Sequence, residues 1–367
     1  GFVNSSTPVN TADHGRYSIV SGRIDYTRAN RFVKWKAGVS LSGFKDNGDY
    51  TYNKLYNDFS VHENEGAAYL SGEKKIAGFD FYAALRTEYN FRRIMVSGEN
   101  AAVLDSTDWK LFPILSVNRR FGKGLWGFSF SQNITHPSFS SLIPNVTYYD
   151  AVSYQVGNPL LKSSISTNLR LSFEQGGFSG YVAYRKQTNV MVQVPLWEPD
   201  TSIGSNIKWT VLNFHESQSV SLNLMHTYHW NNFQGYLDLY AYKPFFSIDY
   251  LDGVKHLNRI SYYGKANGTW NPWEMTSFSF DFEYQSQGDY SLFQSKRYYS
   301  LDLGFSQLFL KKKLRLYLGL NDVFHTNMGN VWTLEYANTR STMNSDWDTR
   351  EFVINLSYTF GRAKVHL

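Results

Sequence analysis

Few residues in this chain are spaced for chemistry. Nine histidines invite a metal reading. The closest pair, His226 and His229, is three residues apart, which on a strand puts the two rings on opposite faces. They cannot ligate one ion together, and no metal site is expected from them. With no cysteine there is neither a disulfide framework nor a thiolate site. Serines are abundant, yet no Gly-x-Ser-x-Gly nucleophile elbow occurs. A triad gathered from distant strands leaves no mark in a sequence, so hydrolysis is the least favoured reading rather than an excluded one. Gly122-Lys123-Gly124 lacks the phosphate-loop spacing and reads as a turn. Three Asn-x-Thr triplets, at Asn133, Asn145 and Asn267, match a glycosylation pattern.

The informative polar residues are those whose direction a strand would set. Ile165, Thr167, Leu169, Leu171 and Phe173 alternate with Ser166, Asn168, Arg170, Ser172 and Glu174. If the leucines face an apolar medium, Arg170 and Glu174 face the other way, and by the same alternation so do Tyr181 and Arg185. A second group, Tyr148, Tyr149, Asp150 and Tyr154, lies in the polar stretch His136 to Asn158, where aromatic loop residues could contact a ligand. Trp35, Trp126, Trp230, Trp273 and Trp332 read as interfacial belt residues.

The elements that must carry these side chains are strands. Lys311 to Phe360 shows the pattern best: Leu314, Leu316, Leu318 and Leu320 make one apolar face, and Phe352, Ile354, Leu356, Tyr358 and Phe360 another. The alternation recurs along the chain in about fifteen strands, most of them longer than the nine to eleven residues that cross a bilayer. A third strand, Phe59 to Ser71, meets a fourth, Ile76 to Phe91, through the turn Gly72 to Lys75. A fifth, Trp109 to Phe121, meets a sixth, Leu125 to Thr135, at Gly122-Lys123-Gly124. Further turns are expected at Gly176-Gly177, Asn231-Asn232, Asn271-Pro272 and Lys311 to Lys313. Long loops are expected at 1–13, Lys45 to Asp58, after Phe91 to Thr107, His136 to Pro159, 196–206, 247–257, 285–296 and Asn338 to Asp348. Short turns alternating with long loops are the signature of a bacterial outer-membrane barrel. In such a barrel the Asn-x-Thr triplets are coincidental.

Composition agrees. The 27 Tyr, 27 Phe and 10 Trp accompany only 18% charged residues, and no run of eighteen apolar residues offers a transmembrane helix. The net charge of +5 is spread along the chain, which leaves no basic stripe for nucleic acid. The reading is all-β: a transmembrane antiparallel β-barrel. Loop parity has the first strand running toward the periplasm and the last ending there. An odd count of about fifteen strands then makes residues 1–367 the C-terminal portion of a single barrel domain of twenty-two strands. The first strands and any plug domain would lie upstream, and open edges would make the piece alone prone to aggregate.

Several segments, in order, resemble the C-terminal part of TonB-dependent receptor-like outer-membrane barrels of the Bacteroidetes type. They are Ala67-Ala68-Tyr69-Leu70, Ala84-Leu85-Arg86-Thr87-Glu88, Leu111-Phe112-Pro113, Pro137-Ser138 with Leu142-Ile143-Pro144, Gly157 to Lys162, Asn321-Asp322-Val323-Phe324 and Ser357 to Gly361. His136 stands where that pattern usually has Arg, and Ser163 where Pro is common. The resemblance implies uptake of a nutrient ligand, a plug inside the barrel, and energy delivered through that plug by TonB. Partners would be outer-membrane lipid, the missing N-terminal plug and strands, TonB and an unknown ligand, with no nucleic acid and no cofactor. The alternatives are a barrel that binds or scaffolds without transport, and a barrel hydrolase.

Overall fold

The computed structural model describes residues 11–31, 33–52, 55–97, 102–143, 145–150, 153–198, 207–290, 292–327, 331–344 and 347–360. The expected loop at 1–10, Pro144, the loop portion 199–206 and Gly361 of the last motif fall outside them. The chain divides into two compact units, residues 1–119, 128–169 and 186–216 in one, and 120–127, 170–185 and 217–367 in the other.

Strands dominate. In chain order come β1 (Thr11–Ala29), β2 (Lys34–Tyr52), β3 (Leu55–Ile76), β4 (Phe79–Ser97), β5 (Ala102–Phe121) and β6 (Gly124–Thr135). One helical turn, α1 (Phe139–Leu142), leads to β7 (Val146–Tyr148), β8 (Ser153–Val156), β9 (Ser164–Gln175), β10 (Phe178–Trp197) and β11 (Ile207–Trp230). Then follow β12 (Phe233–Tyr250), β13 (Gly253–Leu257), β14 (Ser261–Trp273), β15 (Thr276–Gln285), β16 (Gly288–Tyr290) and β17 (Phe293–Ser295). The chain closes with β18 (Tyr298–Phe309), β19 (Leu314–Asn321), β20 (Val331–Tyr336), β21 (Thr339–Asn344) and β22 (Glu351–Tyr358). Eighteen strands belong to one sheet, and β16, β17, β20 and β21 form a second, four-stranded one. Setting aside the short β7, β8 and β13, fifteen long strands remain in the large sheet.

In the first unit β1 to β5 form an antiparallel meander. In the second, β12, β14, β15, β18, β19 and β22 pair antiparallel in succession. The exposed apolar faces fall where alternation puts them. Phe352, Ile354 and Leu356 are 66%, 63% and 67% exposed, and β22 lies in register with β19 so that Ile354 faces Leu318. Leu70, Leu85 and Trp109 in the first unit, and Trp230, Trp270 and Trp273 in the second, are exposed likewise. So much uncovered apolar surface is foreign to a water-soluble fold, and it suits strands whose solvent on one side is hydrocarbon. No helix among the described residues is long and apolar enough to span a bilayer.

Several expected loops are strand. Residues 45–52 and 55–58 continue β2 and β3, paired up to Tyr52 opposite Leu55. The turn after β3 is Ala77-Gly78, both at positive φ, and not Gly72 to Lys75. β4 runs on to Ser97, and β5 begins at Ala102. β14 continues through Asn271-Pro272 to turn after Trp273. The stretches 247–257, 285–296 and 338–348 hold β13, β16, β17 and β21, and residues 11–13 open β1. The physical reason is common to all. A strand that has left the bilayer needs only backbone pairing, so Asn, Asp and Gly there carry no apolar period.

Candidate functional site

Opposite its apolar side, the first unit gathers acids and bases. β3 sets Phe59, Val61, Glu63 and Glu65 on this face, and β4 sets Arg86, Glu88, Asn90, Arg92, Ile94 and Val96. Register places Glu63 opposite Arg92 and Glu65 opposite Asn90. The Arg92 guanidinium donates to both Glu63 oxygens, at 3.2 and 3.0 Å, while Asn90 Nδ2 donates to Glu63 Oε1 at 2.8 Å. All three residues are buried, so the charge pair is enclosed and its hydrogen bonds are needed. Above it Phe59, Val61, Ile94 and Val96 form an apolar cluster that receives Leu142 of α1 and Leu161.

The segment 136–163 is therefore folded onto the wall. Gly157 approaches Ile143 so closely that an added Cβ would lie 2.1 Å from its carbonyl oxygen, which only glycine permits. Asn158 Nδ2 donates to Val211 O at 3.0 Å, and its Oδ1 accepts from Leu160 N at 3.0 Å. Asn213 holds Lys162 from both sides, accepting from its amide at 2.7 Å and donating to its carbonyl at 2.9 Å. These contacts explain the Gly-Asn-Pro-Leu-Leu-Lys motif: Leu161 is its buried plug, and hydrogen bonds through Asn158 and Lys162 anchor the backbone on either side.

His136 is the hub. One ring nitrogen, Nε2, lies 2.8 Å from Glu88 Oε1 and 4.0 Å from Glu65 Oε2; the other, Nδ1, is 2.8 Å from Ser163 Oγ. The two positions that depart from the family pattern thus meet each other. Arg86 bridges the carboxylates, 2.9 Å from Glu65 and 2.5 Å from Glu88. Glu65, Glu88 and His136 together offer donor atoms that could hold a divalent ion. Arg86 and His136 already engage both carboxylates, so the arrangement works as a closed clasp between β3, β4, the end of β6 and the start of β9. Nothing in the separate positions 65, 88, 136 and 163 predicted this cluster.

In the second unit the polar face carries rings. The Arg170 guanidinium sits 3.7 Å over the Tyr181 ring. Glu174 and Arg185 are exposed, and Leu169 and Leu171 are exposed on the opposite side. Tyr240, Tyr242 and Tyr290 stack in a row, the last two at 5.5 Å and nearly parallel, with Trp332 edge-on to Tyr290 at 6.1 Å. Trp332 belongs to the four-stranded sheet, packed also against Phe293, rather than to a belt. His226 stacks on Phe178 at 3.7 Å. Of the four loop candidates, Tyr154 is buried, with its hydroxyl on Glu198 Oε2 at 2.6 Å, and its ring is 5.8 Å from that of Tyr148. Tyr149 and Asp150 are exposed. Tyr149 donates to Gln155, and Asp150 accepts from Ser153 Oγ at 2.7 Å.

A family model described as "Outer membrane protein beta-barrel family" matches residues 3–358. The chain belongs to that outer-membrane β-barrel family. The barrel therefore resides in a bacterial outer membrane, with its greasy faces toward lipid. Among solved structures it is similar to the copper transporter OprC (TM-score 0.63, 10% identity, 95% of this chain and 58% of that one). It is also similar to the ferric yersiniabactin uptake receptor FyuA from Yersinia pestis (TM-score 0.59, 12% identity, 96% and 55%). The FrpB iron transporter from Neisseria meningitidis is a further match (TM-score 0.56, 12% identity, 94% and 55%). The barrel spans 55 to 58% of the length of these three, and at such identities the likeness is one of fold. The matched folds are transporter and receptor barrels, not enzymes. No curated protein sequence matches the chain.

Proposed function

We propose that the barrel is the wall of a receptor that moves a nutrient ligand across the outer membrane, driven by TonB through a plug domain encoded upstream. The observation that carries this reading is the polar face itself. In the first unit it carries paired charges, with the segment 136–163 folded onto it instead of standing free, and in the second unit it is lined with tyrosine rings. A passive wet pore needs no such ordered lining. The row Tyr240, Tyr242, Tyr290 and Trp332 supplies stacking faces and hydroxyls. Arg170, Glu174, Tyr181 and Arg185 extend that wall toward plug or ligand, and Tyr149 and Asp150 offer contacts on the 136–158 segment. The fold likeness to copper and iron uptake barrels supports transport and leaves the ligand open.

The test is genetic. The gene is deleted, and growth is compared under iron, vitamin, glycan and peptide limitation, with complementation by the intact gene or by one lacking the plug region. Uptake predicts a defect in one condition that only the intact gene repairs. Repair by the plugless gene, or no defect in any condition, refutes the reading in favour of a non-transporting barrel.

A further inference from the structure

We propose that the outward rim of the second unit binds the phosphate of an anionic lipid headgroup, held by Arg259, Lys296 and Arg297. This site lies on the lipid side and is independent of any imported ligand. A hollow of about 760 Å³ is lined by these three cations with Tyr262, Ser286 and Gln287. No carboxylate lines it, and among the described residues none of the three cations stands in an ion pair, unlike Lys255, Lys265 and Lys312 of the same unit. Asp289 is buried and accepts from the Arg259 backbone amide at 2.8 Å, fixing that residue's main chain. Ser286 Oγ accepts from Tyr262 N, and Ser286 N donates to Tyr262 O, at 2.8 and 2.9 Å. The backbone of the frame is hydrogen-bonded, and the three cations are exposed on it.

Position identifies the occupant. Tyr262 and Trp270 lie eight residues apart on β14, on the same side by alternation, and both are exposed. Eight residues of strand rise about 27 Å, or about 20 Å of height at the tilt usual in such walls. Around Trp270, a second outward hollow of about 700 Å³ is lined by Trp230, Phe278, Leu303 and Phe305, next to the short Asn231-Asn232 turn. That height is most of the roughly 25 Å of an apolar band, and Arg259, Lys296 and Arg297 lie on the connections just past Tyr262, which puts the cations at the headgroups of the outer leaflet. Exposed Ile260 and the body of Tyr262 stand ready for the upper acyl chain, while guanidinium forks match phosphate oxygens. A free phosphate ion fits the charge but has no use for the flanking apolar surface.

The experiment takes the full-length protein, purified from outer membranes in mild detergent, and measures retention of a phosphorylated lipid and of its dephosphorylated form by native mass spectrometry. Binding is expected to favour the phosphorylated lipid and to fall about a hundredfold in the triple variant Arg259→Gln, Lys296→Gln, Arg297→Gln. A triple variant of the turn lysines, Lys311, Lys312 and Lys313 to Gln, loses equal charge and should bind as the parent does. Millimolar inorganic phosphate should not displace the lipid. Equal retention by the rim variant, indifference to the lipid's phosphate, or full displacement by inorganic phosphate each overturns the proposal. Heat-modifiable gel mobility verifies folding, and if the triple variant does not fold, Lys296→Gln alone is read by the same criteria.

Discussion

Neighbouring residues 354 and 355 of the last strand provide a controlled test of which face meets lipid. Ile354 is 63% exposed and lies mid-strand, between Phe352 and Leu356. Asn355 points the other way, opposite Tyr317. Arginine at a lipid-facing position near the bilayer midplane costs about 2–4 kcal/mol, roughly a 30- to 700-fold shift in the folding equilibrium. Arginine on the polar face, where water and polar side chains receive it, should stay within about 0.5 kcal/mol. The full-length protein carrying Ile354→Arg or Asn355→Arg would be unfolded and refolded with urea in phosphatidylcholine vesicles, with stabilities extrapolated linearly to zero denaturant. The expected result is a large loss for the first and little for the second. Tyr358→Arg, at the strand end, should cost only about 0–1 kcal/mol. Equal costs at 354 and 355, or a greater cost at 355, would refute the assignment of faces on which the membrane reading rests.

Leu161→Ala removes a fully buried side chain from the cluster that anchors the 136–163 segment. It should destabilise by about 2–5 kcal/mol and admit protease within that segment. Arg92→Met strands the buried Glu63 carboxylate and should cost about 3–5 kcal/mol, with much of the loss recovered by adding Glu63→Met; denaturant titration of the three variants measures both. Asp322 is held below the usual carboxylate range. Burial opposes its ionisation, but the Thr349 hydroxyl and the amides of Thr326 and Asn327 outweigh that. Because its folded value is depressed, its stabilisation is full above about pH 4 and is lost as pH falls through the folded value. The protection of amides 322–327, taken relative to their intrinsic exchange rates at each pH, should therefore fall in acid, and Asp322→Asn should flatten that dependence.

Much of this architecture was legible because hydrocarbon imposes a strict rule. Leu314 to Leu320 and Phe352 to Tyr358 had to alternate, and Gly122, Gly176-Gly177, Asn231-Asn232 and Lys311 to Lys313 had to turn. The rule lapses outside the bilayer, which is why the polar ends of β2 and β3 read as loop. The His136 cluster was illegible for a different reason. Its partners sit at 65, 88 and 163, and only register and the fold-back of 136–163 bring them together. His136 and Ser163 did stand out singly as departures from the family pattern, but nothing in sequence linked them. Asp322 of the Asn-Asp-Val-Phe motif was visible as a motif without a role; its role is to gather the amides and hydroxyl of the following loop.

The long paired strands of the first unit have a consequence at the cell surface. β2, with 19 residues, measures about 63 Å along its axis, or about 45 Å of height at usual tilt. An apolar belt accounts for about 25 Å of that, so some 20 Å of stiff, polar stem rises into the medium. An antibody, a phage or a neighbouring cell arriving there would meet a palisade rather than drooping filaments. Between β2 and its two neighbours the main-chain amides are already spoken for, so a visitor must grip side chains.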